Sequence, residues 1–573
     1  MTWVPLSVVR GGAGAVRRPP GVRVLLVGPY DPKGGEYTFL APPLGVWRLA
    51  GVLASAGIDA DVFDPNCCDT SPEVAFEQTL RSADWTIVGF STTGMTLQYD
   101  LALAHLARAV TPDARLIAGG MEATFDPGTI LRLAPFDLVV LGEGEEPLLE
   151  IIERLHAGSD LRGIPGTAWR GPDGQVEKQG RAALTREALR DAIAATPYER
   201  MPYEKYWDRL DRSYRIGDLP VKAAREARLA EIRSVRLNTL NYCPMGCTFC
   251  SSTNFLNAAQ DGRTARVSRL DEHETLAMMR HIVTAHPSVR TIIFQDDIFV
   301  FTQDRRILPL CEAIVAAKAN GELPSDLQFI STNRIDAMTP ERLAPMRRAG
   351  FRVLGFGIES FALDILKEFN KAQIHPFIAP MLSEALRLGI TPFLDMILTS
   401  PRCRLQDLAE NIRHAYRWIA AGCEVGMYPY VIPFSGAAMA ADPALRPHTV
   451  YSRRQIVGTG ITWDQPAKIL PADPIVRDTI LAIEAAFEER VADLGDGTTH
   501  LPSRTRSLIW ILSAIPFLRS AGFAMPSQMR VEKALALRLP APRRPRSQRG
   551  AADVVPDHAY ADCRMAAGRA RNA

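Results

Sequence analysis

Residues 243–250 read Cys-Pro-Met-Gly-Cys-Thr-Phe-Cys and follow directly on an alternating, strand-like run at 234–240. Three thiols are thereby confined to one tight loop at the end of a strand. Thiolates at this spacing wrap three corners of a cubane [4Fe-4S] cluster and leave the fourth iron without a protein ligand. Two other uses of the loop compete with that one. Structural zinc takes its cysteines in pairs, with a second Cys or His pair downstream, and no such pair follows here. Disulfides belong to oxidising compartments, yet the other six of the nine cysteines, Cys67, Cys68, Cys311, Cys403, Cys423 and Cys563, are scattered without rhythm. That usage suits a reducing cytosol, so the expected location is cytoplasmic.

Downstream of the cysteines, residues 291–299 read as a buried strand ending in Asp296 and Asp297, and 327–331 as a strand closed by Ser331-Thr-Asn-Arg334. Residues 353–360 form another, ending in Glu359 and Ser360, and further strands at 393–398 and 425–430 alternate with helices. Polar groups at the carboxyl ends of parallel strands are where a barrel keeps its reactive side chains. An acid in that position also serves as a plain helix N-cap.

The stretch before the cysteines alternates in its own right. Apolar strands at 22–27, 60–64, 85–90, 114–118 and 138–141 are separated by amphipathic helical stretches, the pattern of a doubly wound parallel sheet. Ligands of such sheets sit beyond the carboxyl ends of the strands. Those ends carry Ser91-Thr92-Thr-Gly94, Gly119-Gly120-Met-Glu122 and Gly142-Glu143-Gly144-Glu145, small residues that let a large flat or phosphate-bearing ligand approach the backbone. No Gly-x-Gly-x-x-Gly follows the first strand, which argues against a dinucleotide site.

The cysteine loop, with the aromatic Phe249 before its last cysteine, resembles that of the radical S-adenosylmethionine (SAM) enzymes. The preceding Pro-Pro-Leu-Gly at 42–45, Gly-Gly-x-x-Ala-Thr at 119–124 and Gly-Glu-Gly-Glu at 142–145 are similar to the cobalamin-binding domain of the B12-dependent branch of that family. The resemblance covers residues 22 to about 440. It implies a [4Fe-4S] cluster on Cys243, Cys247 and Cys250, and SAM held at Phe249, Asp296, Asp297, Arg334, Glu359 and Ser360. It further implies cobalamin at Ser91, Thr92, Gly119, Gly120, Glu122, Gly142, Glu143 and Gly144. Many cobalamin domains carry Asp-x-His-x-x-Gly, whose histidine ligates cobalt from below; the first 155 residues contain no such motif, and Glu122 stands where relatives often have histidine.

The activity implied is methylation of an unactivated carbon or phosphinate phosphorus of a small molecule, through methylcobalamin and a 5′-deoxyadenosyl radical, with an electron donor such as flavodoxin or ferredoxin. A cyclisation, ring rearrangement or oxidation without methyl transfer is the alternative within the branch. An RNA methylthiotransferase needs a second set of N-terminal cluster cysteines, which the adjacent Cys67 and Cys68 do not supply. A corrinoid or iron-sulfur carrier has no use for an open iron.

The expected organisation is a flexible leader at 1–20, a Rossmann-like cobalamin domain at 21–155, a connector with a hairpin at 156–225, a partial (β/α)6 barrel at 226–440, a helical region at 441–538 and a disordered tail at 539–573. A chain of 573 residues is long enough for several cores. Lys plus Arg number 66 against 64 for Asp plus Glu, a net charge of +2, so nothing calls for nucleic acid. The apolar run at 507–518 is too short to cross a bilayer and reads as a core helix.

Overall fold

The structure, a computed structural model, describes residues 21–32, 40–214, 228–492 and 503–535. The expected leader and tail lie outside these residues. Strands β1 (Arg23–Val27), β2 (Asp59–Phe63), β3 (Ile87–Ser91), β4 (Arg115–Gly119) and β5 (Leu138–Val140) run parallel in the order β2-β1-β3-β4-β5. Val24, Leu26, Ile87 and Ile117 pack with Val46, Leu53 and Ile151 on one face. Leu25, Val27, Val88 and Phe90 pack with Leu101, Ala104 and Ile130 on the other. A strand buried on both faces has no polar positions to alternate, hence its unbroken apolar run. The order reverses at β1, so a crevice opens there beyond the strand ends.

The hairpin expected around 171–174 exists, but it is not part of a separate connector. Its strands β6 (Thr167–Arg170) and β7 (Val176–Gln179) extend the first sheet, with Val139 opposite Ala168 in an antiparallel pair. Without them β5 would end the sheet with unpaired backbone. The first domain therefore reaches 179 rather than 155. The remaining connector packs across the domain junction, as its tyrosines suggest. Tyr206 Oη donates to Asp64 Oδ2 at 2.8 Å in the first domain. Tyr198 Oη donates to Arg236 O at 2.9 Å, and Trp207 Nε1 to Ser234 O at 3.0 Å, so both cover the edge of the second sheet.

That sheet is the barrel: β8 (Ser234–Leu237), β9 (Thr291–Phe294), β10 (Gln328–Asn333), β11 (Phe351–Glu359), β12 (Thr391–Ile397) and β13 (Glu424–Tyr428), parallel throughout and adjacent in chain order. Ile293, Ile330, Val353 and Phe393 fill its interior. The far edge, β13, is covered by the helix Ser503–Ser520, whose Ser507 Oγ donates to Val425 O at 2.5 Å. The apolar run at 507–518 thus packs in the barrel's core, and among the described residues no helix is long and apolar enough to cross a membrane.

The region from 441 to 538 is not wholly helical. After a short 3-10 helix at Pro443–His448 comes an antiparallel hairpin, β14 (Thr449–Gln455) and β15 (Thr462–Ile469), followed by three helices. Val450 and Tyr451 on one side and Gly458 and Gly460 at the turn are the strand and turn signals that mark it. Its end is buried in the first domain, where Ile456 and Trp463 join the core of Phe63, Leu97 and Leu101. Trp463→Ala should lower the unfolding free energy by about 3–5 kcal/mol in a urea titration; a loss below about 1 kcal/mol, within the range of surface substitutions, would show that the hairpin adds nothing to that core.

Candidate functional site

Cys243, Cys247 and Cys250 lie in the loop that leaves β8, and all three are free thiols. Asp296, just beyond β9, anchors the start of that loop. One oxygen accepts from Thr239 N at 2.6 Å and Leu240 N at 2.9 Å, the other from Thr239 Oγ1 at 2.6 Å. A second support is the turn at 368–371. Thr248 Oγ1 donates to Glu368 O at 2.8 Å, Thr248 N to Phe369 O at 3.3 Å, and Asn370 Nδ2 to Gly246 O at 3.0 Å. Phe249 packs on Phe369 with ring centroids 4.9 Å apart.

Burial pushes the Cys243 thiol up to about 12 and that of Cys250 up to about 11, and Cys247 is raised by the same cause. Such thiols keep their protons unless a metal displaces them. Among the described residues no three His, Cys, Asp or Glu side chains converge as they would on one metal ion. Three cysteine thiols in one loop with no fourth protein ligand are the donor set of a cubane with one open iron.

At the barrel mouth Glu359 ends β11 in a left-handed conformation, φ 59°, just after a register shift. Its Oε1 accepts from Lys371 Nζ at 2.9 Å, and the same ammonium donates to Gly357 O at 2.8 Å. A Cβ on Gly357 would stand 2.6 Å from Glu359 Oε1 and 2.7 Å from Lys371 Nζ, so a side chain there would displace this ion pair. Burial opposes the Lys371 charge, but Glu359 and Cys247 outweigh it and its pKa rises. Asp395 on β12 is paired in register with two glycines, Gly357 and Gly426. Its Oδ1 is buried without a partner, and burial together with the Glu359 charge pushes its carboxyl up to about 7.

Of the acids at the end of β9, Asp297 is the one that faces the cysteines: it accepts from Ser252 Oγ at 3.2 Å, and its charge acts on both Cys243 and Cys250. Both oxygens of Asp296 are spent on the loop. Arg334 is clamped by Asp336 through Nε and Nη2 at 2.9 and 2.8 Å, which leaves Nη1 buried and unpartnered. Ser360 Oγ donates to Asn411 Oδ1 at 2.9 Å in the core and faces away from the mouth.

A cavity of about 270 Å³ opens beyond the ends of β3, β4 and β5. Ser91, Gly119, Gly120, Gly142, Glu143 and Gly144 line it. Gly120, at φ 93°, has no room for a side chain, since a Cβ would lie 2.6 Å from Thr92 O. Thr92 is turned inward, with Oγ1 donating to Gly119 O at 2.9 Å. Glu122 spans the domain border instead, accepting from Ser435 Oγ at 2.8 Å. Glu143 accepts from Leu184 N at 2.6 Å through one oxygen and leaves the other unpartnered; burial and the neighbouring Glu145 push it up to about 7. The opposite wall comes from the barrel: Asn238, Leu240 and Asn241 just before the cysteines and Phe255 just after them.

The B12 binding domain family matches residues 33–152. An uncharacterised methyltransferase of Pyrococcus horikoshii is 24% identical over 376 residues, 65% of this chain and 73% of that protein. An anaerobic magnesium-protoporphyrin IX monomethyl ester cyclase of Rubrivivax gelatinosus is 25% identical over 357 residues, 61% of this chain and 58% of the cyclase. Among solved structures, the cobalamin-dependent S-adenosylmethionine radical enzyme OxsB with aqua-cobalamin bound aligns with a TM-score of 0.61 at 14% identity, over 86% of this chain and 72% of that one. This chain has the fold of the cobalamin-dependent radical SAM proteins.

Within the barrel, Lys371 and Asp395 belong to none of the sequence motifs. Lys371 follows an unremarkable helix, and only the fold brings it to Glu359. Asp395 does stand inside an apolar strand, Phe393-Leu-Asp-Met-Ile397, and a charge in such a strand was the available signal. Its raised pKa makes the folded state bind more protons than the unfolded state between about pH 4 and pH 7. Stability contributed by Asp395 is therefore present below pH 4 and lost as pH rises through 7. Asp395→Asn should stabilise the protein at pH 8 by on the order of 2–4 kcal/mol and change little at pH 4; equal effects at both pH values, read by chemical denaturation, would contradict the assignment.

Proposed function

We propose that this chain is a cobalamin-dependent radical SAM enzyme that methylates an unactivated carbon, or a phosphinate phosphorus, of a small molecule. The observation that carries the reading is the shared cavity. Its floor is the glycine-rich strand ends of the cobalamin domain, and its roof is the residues flanking the cysteine loop on both sides. A ligand seated on the first domain is held directly against the barrel mouth.

In this reading Cys243, Cys247 and Cys250 hold the cluster, and the polar parts of SAM meet Asp297, Glu359 and the free Nη1 of Arg334. Asp296 and Ser360 act through the backbone they fix. The corrin edge and its amides meet Ser91, the Gly119-Gly120 and Gly142–Gly144 turns and the open oxygen of Glu143, while Thr92 and Glu122 position those turns. When bound, the three groups supply one-electron reduction, a carbon radical and a transferable methyl group. The chain's own contribution is orientation and exclusion of water from a mouth closed on both sides. A low-potential electron donor such as flavodoxin or ferredoxin is required.

The methyltransferase of Pyrococcus horikoshii supports methyl transfer. The match to the Rubrivivax gelatinosus cyclase favours a second reading, in which the radical drives ring formation or oxidation and no methyl moves. Anaerobically reconstituted protein given SAM with a labelled methyl group separates the two. Methyl transfer predicts both 5′-deoxyadenosine and S-adenosylhomocysteine, with deoxyadenosine falling to background in Cys247→Ala. Deoxyadenosine alone, with label retained in methionine, selects the second reading. Neither product would defeat both.

A further inference from the structure

Lys371 is a buried lysine, 7% exposed, that the reading above does not require. Its ammonium is fixed from two directions. Glu359 Oε1 and Gly357 O take two of its protons at 2.9 and 2.8 Å. Its backbone closes the turn at 368–371, where Lys371 N donates to Leu366 O at 2.7 Å and Asn370 adopts φ 57°. That same turn carries the cysteine loop through its bonds to Thr248 and Gly246. Lys371 Nζ lies 5.8 Å from the ring centroid of Phe249, the residue that precedes Cys250.

The ionisable groups that interact with this ammonium are Glu359, Asp395, Arg334 and the Cys247 thiol. The cations Lys371 and Arg334 are paired with the acids Glu359 and Asp336, and Asp395 is pushed up to about 7, so the pocket carries little net charge before a cluster is bound. A cluster held by three thiolates is an anion, and each added electron makes it more negative. In a buried setting a fixed cation that interacts with a cluster ligand stabilises the more negative state far more than it would in water.

We infer that Lys371 is a positioning residue that raises the reduction potential of the cluster and shares its charge with Glu359, linking the state of the Glu359 site to the ease of reducing the cluster. The inference rests on the cluster assignment made above. It sets the direction of three substitutions. Lys371→Met removes the cation and moves the potential to more negative values. Lys371→Arg keeps it and leaves the potential close to that of the parent. Glu359→Gln releases the cation from its carboxylate and moves the potential to more positive values.

The test is a potentiometric titration of the reconstituted full chain, followed by electron paramagnetic resonance of the reduced cluster, with iron counted per chain. The expected result is equal iron in all variants and opposite shifts for Lys371→Met and Glu359→Gln. Should Lys371→Met fail to fold or load, Lys371→Arg and Glu359→Gln carry the test together. A parent-like potential in Lys371→Met or in Glu359→Gln, with the cluster present, overturns the inference alone. A parent protein that binds no iron-sulfur cluster overturns the reading on which it rests.

Discussion

The carboxyl ends of β3, β4 and β5 and the loop that leaves β8 meet across one cavity, and the arrangement of the candidate site depends on that meeting. Parallel strands end with side chains and loops that are free to vary, whereas their interiors are committed to packing. Facing two such ends across one cavity places the Gly119-Gly120 and Gly142–Gly144 turns opposite Asn238, Asn241 and Phe255. The cysteine loop begins within three residues of that wall and ends five residues before Phe255. Proximity of the two halves of the site is therefore a consequence of chain connectivity as much as of domain packing.

Holding the gap at a fixed width takes several elements from distant parts of the sequence. The aromatic connector seals the open edge of the barrel to the first domain through Tyr198, Trp207 and Tyr206. The hairpin β14–β15 returns from the far end of the barrel to bury Ile456 and Trp463 in the first domain, while Gln465 Nε2 donates to Gly94 O at 2.8 Å. At its other end, Ile469 packs with Val431 and Met439, against which Phe249 of the cysteine loop rests. One hairpin thus touches both halves of the site.

Much of the site was legible because it is local in sequence. Three thiols in eight residues need no tertiary information, and neither do glycines at strand ends or acids closing an apolar run. What could not be read is sidedness and register. Asp296 and Asp297 are neighbours in sequence, yet one is consumed by Thr239 and Leu240 while the other faces the cysteines, because successive residues at a strand end point to opposite faces. Ser360 is lost to Asn411 for the same reason. The glycines beside Asp395 become meaningful only once β12 pairs with β11 and β13, and Lys371 only once the turn at 368–371 brings it to Glu359. The doubly wound sheet followed from the alternation of strands and helices, the barrel was implied by the family resemblance, and the core role of the apolar helix followed from the shortness of its run; the extension of the first sheet by β6 and β7 did not, since a short hairpin does not announce which edge it will join.

In the proposed function one cavity brings the corrinoid against the iron-sulfur cluster. The most direct test is electron paramagnetic resonance of the reconstituted protein carrying both cob(II)alamin and the reduced cluster. Two spins in adjoining walls of one cavity must couple, so the account predicts signals split or broadened relative to samples holding either centre alone. Unperturbed, additive signals at full cobalt and iron occupancy would contradict it.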